Sequence, residues 1–132
     1  MNSDETWRRP ARIVLASLYL AAGLAHIFVA PAFLKIVPNW LPHPALVVFA
    51  TGLCEIAGAC GLILSPTRRT AGAMLALYAA CVYPANIMHA VHDLSTGTGL
   101  GWAYHYPRLF VQPLICWWAL WAGGVAGRRP LG

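Results

Sequence analysis

The chain has 132 residues, of which 59% are hydrophobic and only 10% charged, too apolar for a soluble domain of this length to cover itself with polar surface. Nine Lys and Arg against four Asp and Glu leave a formal charge of +5. The basic residues fall in short clusters between apolar runs and form no nucleic-acid patch, so nucleic acid is excluded as a partner and the bilayer takes its place.

Four apolar runs, at about 12–30, 44–64, 70–92 and 107–126, each approach the ~20 residues that cross a hydrocarbon core as helix. They predict an all-α, single-domain bundle of four transmembrane helices. Arg8, Arg9 and Arg12 lead into the first run, which is long for the apolar core of a secretory leader and is followed by three similar runs, so it reads as a span. On this helix Tyr19, Gly23 and His26 share a face, with His26 about one turn below its far end. The following stretch, PAFLKIVPNWLPHP, interleaves Pro31, Pro38, Pro42 and Pro44 with Phe33, Leu34, Ile36, Val37 and Trp40. It is expected to form a short amphipathic helix in the membrane interface, with Lys35 as its cation.

In the second span, TGLCEIAGACG sets Glu55 in a run with no other charge between Pro44 and Arg68. At ~100° per residue, Phe49, Leu53, Ile56, Cys60 and Ile63 make a bulky stripe, and Thr51, Gly52, Gly58 and Ala59 flank Glu55 on the opposite side. Small residues mark close helix packing in membranes, and a charge exposed at mid-bilayer costs at least ~3 kcal/mol, so Glu55 is expected to face the bundle interior. The five-residue turn Ser65 to Arg69 makes the second and third spans antiparallel neighbours.

The third span carries Tyr83, Asn86, His89 and Asp93 on one line, interrupted by Pro84, which leaves the carbonyl of Ala80 without its helical donor. DLSTGTGLGWAYHYP then reads as a flexible Gly-rich hairpin with an aromatic end, and His92, Asp93 and His105 are expected to be solvated at the water boundary. The fourth span opens with Arg108 and Gln112, and Pro113 repeats the proline device.

Arg8, Arg9, Arg12, Arg68, Arg69, Arg128 and Arg129 fall on one side of this zigzag, and only Lys35 and Arg108 on the other. The positive-inside rule then places both termini in the cytoplasm and the 31–43 and 93–106 loops outside. Trp7 at the inner boundary, and Trp40, Trp102, Tyr104 and Tyr106 at the outer one, agree with that orientation. The outer half gathers His26, Tyr83, Asn86, His89, Arg108 and Gln112 above Glu55, a polar funnel with the acid ~15 Å down. Glu55 and His26 are the candidate catalytic, proton-exchanging pair. Tyr83, Asn86, His89, Arg108, Gln112 and Lys35 are the candidate ligand-binding residues for a small molecule in the outer half.

No metal is assigned, because His89-x-x-His92-Asp93 lacks the local third and fourth ligands that a recognised site motif supplies. Cys54, Cys60, Cys81 and Cys116 all lie within spans and form no C-x-x-C pair. The Phe49/Leu53/Ile56/Cys60 stripe offers a surface to lipid or to a second copy in a homo-oligomer.

The segments YLAAGLAHIFVAPAFLKIVPNWLP, GLCEIAGACGLIL and PTRRTAGAMLALYAACVYPANIMHA resemble the DoxX-like family of small four-helix bacterial membrane proteins over residues 12–126. The resemblance implies a multi-pass protein of the bacterial inner membrane, accessory to a quinone-linked or thiol and sulfur redox system. It also implies a partner redox subunit and Glu55 as the family's intramembrane acid; no cofactor is assigned, and the outer funnel would hold either a quinone head group or a small sulfur or thiol substrate. The other reading of the same residues is a non-catalytic small-molecule carrier or binder, or a membrane chaperone-scaffold.

Overall fold

The computed structural model describes residues 3–127, and four long helices and one short one account for most of them: α1 (Ser3–Phe28), α2 (Ala30–Leu34), α3 (Pro44–Ile63), α4 (Arg68–Thr96) and α5 (Gly101–Ala122). No strand occurs among the described residues. Helices α1, α3 and α4 are each long and apolar enough to cross a membrane. Large side chains such as Phe28, Phe49, Met74, Phe110 and Trp117 point outward, so the exterior carries far more large apolar surface than a water-facing one of this size.

The helices outrun the apolar stretches that marked them. Helix α1 is already helical at Ser3, the first described residue, well ahead of the apolar run, and Asp4 and Glu5 lie near its N-terminal end, where the helix dipole favours acids. The Gly-rich hairpin expected over 93–106 is mostly helical: α4 runs to Thr96 and α5 resumes at Gly101. Gly97, at φ 66°, ends α4 in the left-handed conformation that glycine adopts at no steric penalty, and the amide of Thr98 bonds back to the carbonyl of Asp93 at 3.1 Å. In the first loop, α2 forms where a short helix was expected, and the turns after it bend inward.

Two antiparallel pairs dominate the packing, α1 on α3 and α4 on α5, with α3 and α4 joined by the short turn and α1 closing against α5. The α1–α3 crossing is set by glycine. A Cβ on Gly23 would sit 2.7 Å from the carbonyl oxygen of Gly52, and one on Gly52 would sit 2.9 Å from the carbonyl oxygen of Gly23, so the two backbones touch there. Toward the arginine-rich end the interior is closed by Leu15, Ala16, Ala59, Leu62, Leu75, Ala76, Ala119 and Ala122.

The arginines at that end do more than mark topology. Arg12 is buried and its Nε donates to the carbonyl of Ala122 at 3.0 Å, while Arg8 Nη2 donates to Gly127 at 2.9 Å and Ala126 at 3.2 Å. Arg68 donates to Leu62 at 3.3 Å and Ile63 at 3.4 Å. These carbonyls are the last of α5 and α3 and the turn beyond, which have no intrahelical donor, so side chains from α1 and α4 cap both. Glu5 pairs with Arg12 at 3.1 Å. Arg128 and Arg129 lie outside the described residues.

Replacing Arg12 by Met removes the donor to Ala122 and the partner of Glu5. It is expected to lower unfolding stability in detergent by about 2 kcal/mol, as for a buried charge-assisted hydrogen bond. Arg9→Met, at an exposed neighbouring position, is expected to change it by less than about 0.5 kcal/mol in the same denaturant titration.

Candidate functional site

Glu55 faces inward from the small-residue side of α3, and its side chain is only 6% exposed. The bulky stripe lies outward as expected for Phe49, Leu53, Cys60 and Ile63. Ile56 instead turns half inward against Gly23, filling the space that the absent side chain leaves.

The Gly23–Gly52 contact brings His26, almost one turn along α1 from Gly23, within 2.7 Å of Glu55, measured from Nδ1 to Oε2. Nδ1 is also 2.9 Å from the carbonyl of Ala22 in its own helix. One ring nitrogen cannot be well directed at both. Nδ1 is aligned with Ala22, so Oε2 has a close neighbour but no hydrogen bond of good geometry. The other carboxylate oxygen, Oε1, accepts a 2.9 Å bond from the hydroxyl of Tyr78. Phe33, from α2, stacks on the His26 ring with 3.9 Å between centroids, which fixes the imidazole plane.

Above this pair opens a cavity of about 340 Å³. Glu55, His26 and Tyr78 form its floor, and Asn86, His89, Tyr104 and Arg108 its far end, with Gln112 on the wall between. Apolar surface from Val47, Val48, Val82 and Ala85 completes the walls, and Ile36, Val37, Pro38 and Leu41 of the first loop lean over it. That loop had been expected to lie flat in the interface. Its apolar side chains cover the cavity instead, and Trp40 is the one left largely exposed.

At the far end the polar groups form one chain. Arg108 Nη1 donates to His89 Nδ1 at 3.1 Å, Arg108 Nη2 donates to Asn86 Oδ1, and the guanidinium carbon lies 5.4 Å from the centroid of the Tyr104 ring. A guanidinium only donates, so Nδ1 of His89 is an acceptor and its hydrogen sits on Nε2, which faces Asp93 Oδ2 at 3.2 Å. Asp93 Oδ2 also accepts from His105 Nε2 at 3.0 Å and from the amide of Leu100 at 3.4 Å.

The expectation that Asp93 and His105 are solvated is therefore corrected: both are buried, and His105 is 0% exposed. Asp93 is covered by Gly99, whose backbone presses so close that any side chain there would overlap the carboxylate, and His105 is held against Asp93 by its Nε2 hydrogen bond. His92, the third residue of that group, is exposed as expected. The donor atoms of His89, Asp93 and His105 lie within 4.8 Å of one another, the spacing of a metal site. In this arrangement, with Arg108 on Nδ1, His89 Nε2 carries a hydrogen toward Asp93, and the trio forms a hydrogen-bonded cluster that joins α4 to the start of α5.

Of the sequence candidates, His26, Glu55, Asn86, His89, Arg108 and Gln112 share the cavity. Lys35 is exposed and lines a neighbouring recess of about 300 Å³ with Trp40, Met88 and His92. Tyr83 turns away: its hydroxyl donates to the carbonyl of Leu109 at 3.0 Å, the carbonyl that Pro113 leaves without a helical donor. Gln112 Nε2 donates to the carbonyl of Ala79 at 2.9 Å, next to the Ala80 carbonyl that Pro84 leaves without a helical donor in the continuous α4. Tyr78 was missed by the sequence reading. It and Glu55 lie almost equally far from Thr67 in an antiparallel hairpin, and that reflection across the turn was the available signal. All four cysteines are free, and none lines the cavity.

Residues 15–123 match the family model described as "Domain of unknown function (DUF8561)", and the chain belongs to that family. No curated protein and no solved structure matches it. The DoxX-like resemblance is thereby corrected: small residues at a helix contact and a basic turn between apolar helices are features that packing and charge placement produce in unrelated helical hairpins, and they do not identify a family.

Tyr83→Phe leaves the Leu109 carbonyl without a donor and is expected to cost about 1 kcal/mol, the scale of an interhelical hydrogen bond in a membrane protein. Adding Pro113→Ala, which restores the helical N–H, is expected to recover most of that loss. A double-mutant cycle of unfolding in detergent checks this, and additive losses would refute the pairing.

Proposed function

We propose that this DUF8561 chain is a four-span integral membrane protein with both termini in the cytoplasm, and that its cavity, open to the outside, binds a small molecule over Glu55 and its neighbour His26, with Glu55 as the group that takes up and releases a proton. The observation that carries this reading is Glu55 Oε2. It is buried at the cavity floor, close to His26, and without a well-directed hydrogen bond. A buried carboxylate oxygen in that state is costly unless a proton or a donor from a bound molecule completes it.

The fourth span is α5, about 33 Å long at helical rise and apolar along Phe110, Val111, Leu114 and Trp117. The orientation rests on Arg8, Arg9, Arg12, Arg68 and Arg69 at one end of the bundle, with Arg108 and Lys35 at the other. Binding is favoured over redox catalysis for two reasons. The redox assignment came with the family resemblance now withdrawn, and no thiol reaches the cavity.

Native mass spectrometry of detergent-released protein is expected to find a small molecule that is lost in Glu55→Gln and retained in Phe49→Ala, with both variants inserted in the membrane. Equal loading of wild type and Glu55→Gln would remove Glu55 from the site. For the orientation, Thr98→Cys in a cysteine-free background is expected to react with a membrane-impermeant maleimide in intact cells. Labelling only after lysis would reverse the topology.

A further inference from the structure

The geometry points to an organic anion, a small amphipathic carboxylate, as the ligand of this cavity, its charged group held by Arg108 and its apolar part lying along α3 and α4 toward Glu55. This inference rests on the cavity being a binding site. Arg108 is half-buried and lines the cavity, yet it forms no ion pair among the described residues. Its two contacts are to neutral acceptors, Asn86 Oδ1 and His89 Nδ1, which engage two of its five N–H groups. The carboxylate reached through His89, Asp93, is committed to His89, His105 and Leu100.

A guanidinium at the edge of a low-dielectric bundle with no counter-charge of its own is the group best suited to take a carboxylate by paired N–H bonds. The Tyr104 ring backs one side of it and the Asn86 and His89 contacts hold it from another, so its plane is set before a ligand arrives. A cation is disfavoured by the same unpaired charge.

The rest of the ligand is read from the walls. Asn86, against Arg108, lies two turns along α4 from Tyr78, about 12 Å at helical rise. Between them the walls are Val47, Val48, Val82 and Ala85. At about 340 Å³ the cavity is at the small end of ligand-sized pockets, which suits a short-chain acid. The anion itself can come from a free acid or from an anionic lipid headgroup at the cavity mouth.

The test is isothermal titration of the whole protein in phosphatidylcholine nanodiscs with hexanoate, hexanol and hexylamine. Hexanoate is expected to bind at least tenfold more tightly than the other two. Arg108→Gln is expected to erase that preference and Arg108→Lys to keep part of it, with helical content and melting unchanged as the check on folding. Equal affinity for hexanoate and hexanol, or a preference that survives Arg108→Gln, overturns the anion inference. If Val48→Trp, which fills the cavity, then abolishes binding of both probes, the binding-site reading stands without it. If none of the three probes binds, or Val48→Trp changes nothing, both fall. Repeating the titration in phosphatidylglycerol nanodiscs separates the sources: weakened hexanoate binding identifies a lipid headgroup on Arg108, and unchanged binding identifies a free acid.

Discussion

The contact between the backbones of Gly23 and Gly52 is the constraint on which the site depends. Each helix presents to the other the carbonyl where a side chain would otherwise stand, and only at that separation does His26 Nδ1 reach Glu55 Oε2. Lipid gives helices no hydrophobic reason to associate, so close approach through small residues is itself what holds the pair together. In the proposed four-span protein the same approach keeps Glu55 away from lipid, where its charge would be costly. Packing and site are thus one arrangement: anything that widens the α1–α3 crossing also separates the acid from its histidine.

Elsewhere the fold solves a single recurring problem, that of backbone carbonyls without donors. Where α3 and α5 end, arginines from α4 and α1 supply the missing hydrogen bonds. Where Pro113 interrupts α5, the hydroxyl of Tyr83 does so. Each solution ties one helix to another, so satisfying local polar groups also fixes the tertiary arrangement. The Asp93 network is the mirror case, a buried carboxylate completed by two histidines and a loop amide. It turns a glycine-rich connection into a defined one.

Much of this was legible in the residues. Periodicity placed Glu55 on the inner face, because a mid-membrane acid has few tolerable orientations, and the polar line on α4 led to Asn86 and His89. The parts that were not legible share a cause. Asp93 and His105 read as solvated because their depth was judged from the hydropathy of the surrounding stretch, whereas their burial is produced by a turn whose glycines looked like flexibility. Arg8 and Arg12 read as topology markers, because capping of a helix far away in sequence leaves no local trace. Tyr83 was expected in the cavity and Tyr78 was not considered; five residues apart, they lie on different faces of α4, and only the neighbouring helices, through Glu55 and the Leu109 carbonyl freed by Pro113, show which one meets the acid. The family resemblance failed for a related reason, since small residues around an acid and a basic turn report membrane packing before they report ancestry.

The two ends of the bundle differ in a way that bears on what the cavity can do. Beneath Glu55 the interior is closed by Leu15, Leu62 and Leu75, each 2% exposed or less, and beyond them by the arginine caps. The cavity therefore has a floor, and the floor is the titratable pair. A channel would need a polar path past that layer, and the described residues provide none. Along the cavity from the Arg108 end come, in order, a cation, an apolar wall and the buried carboxylate of Glu55 beside His26. On the proposed binding reading, that order of environments suits a ligand whose charged group meets Arg108 and whose apolar part runs along the wall toward Glu55.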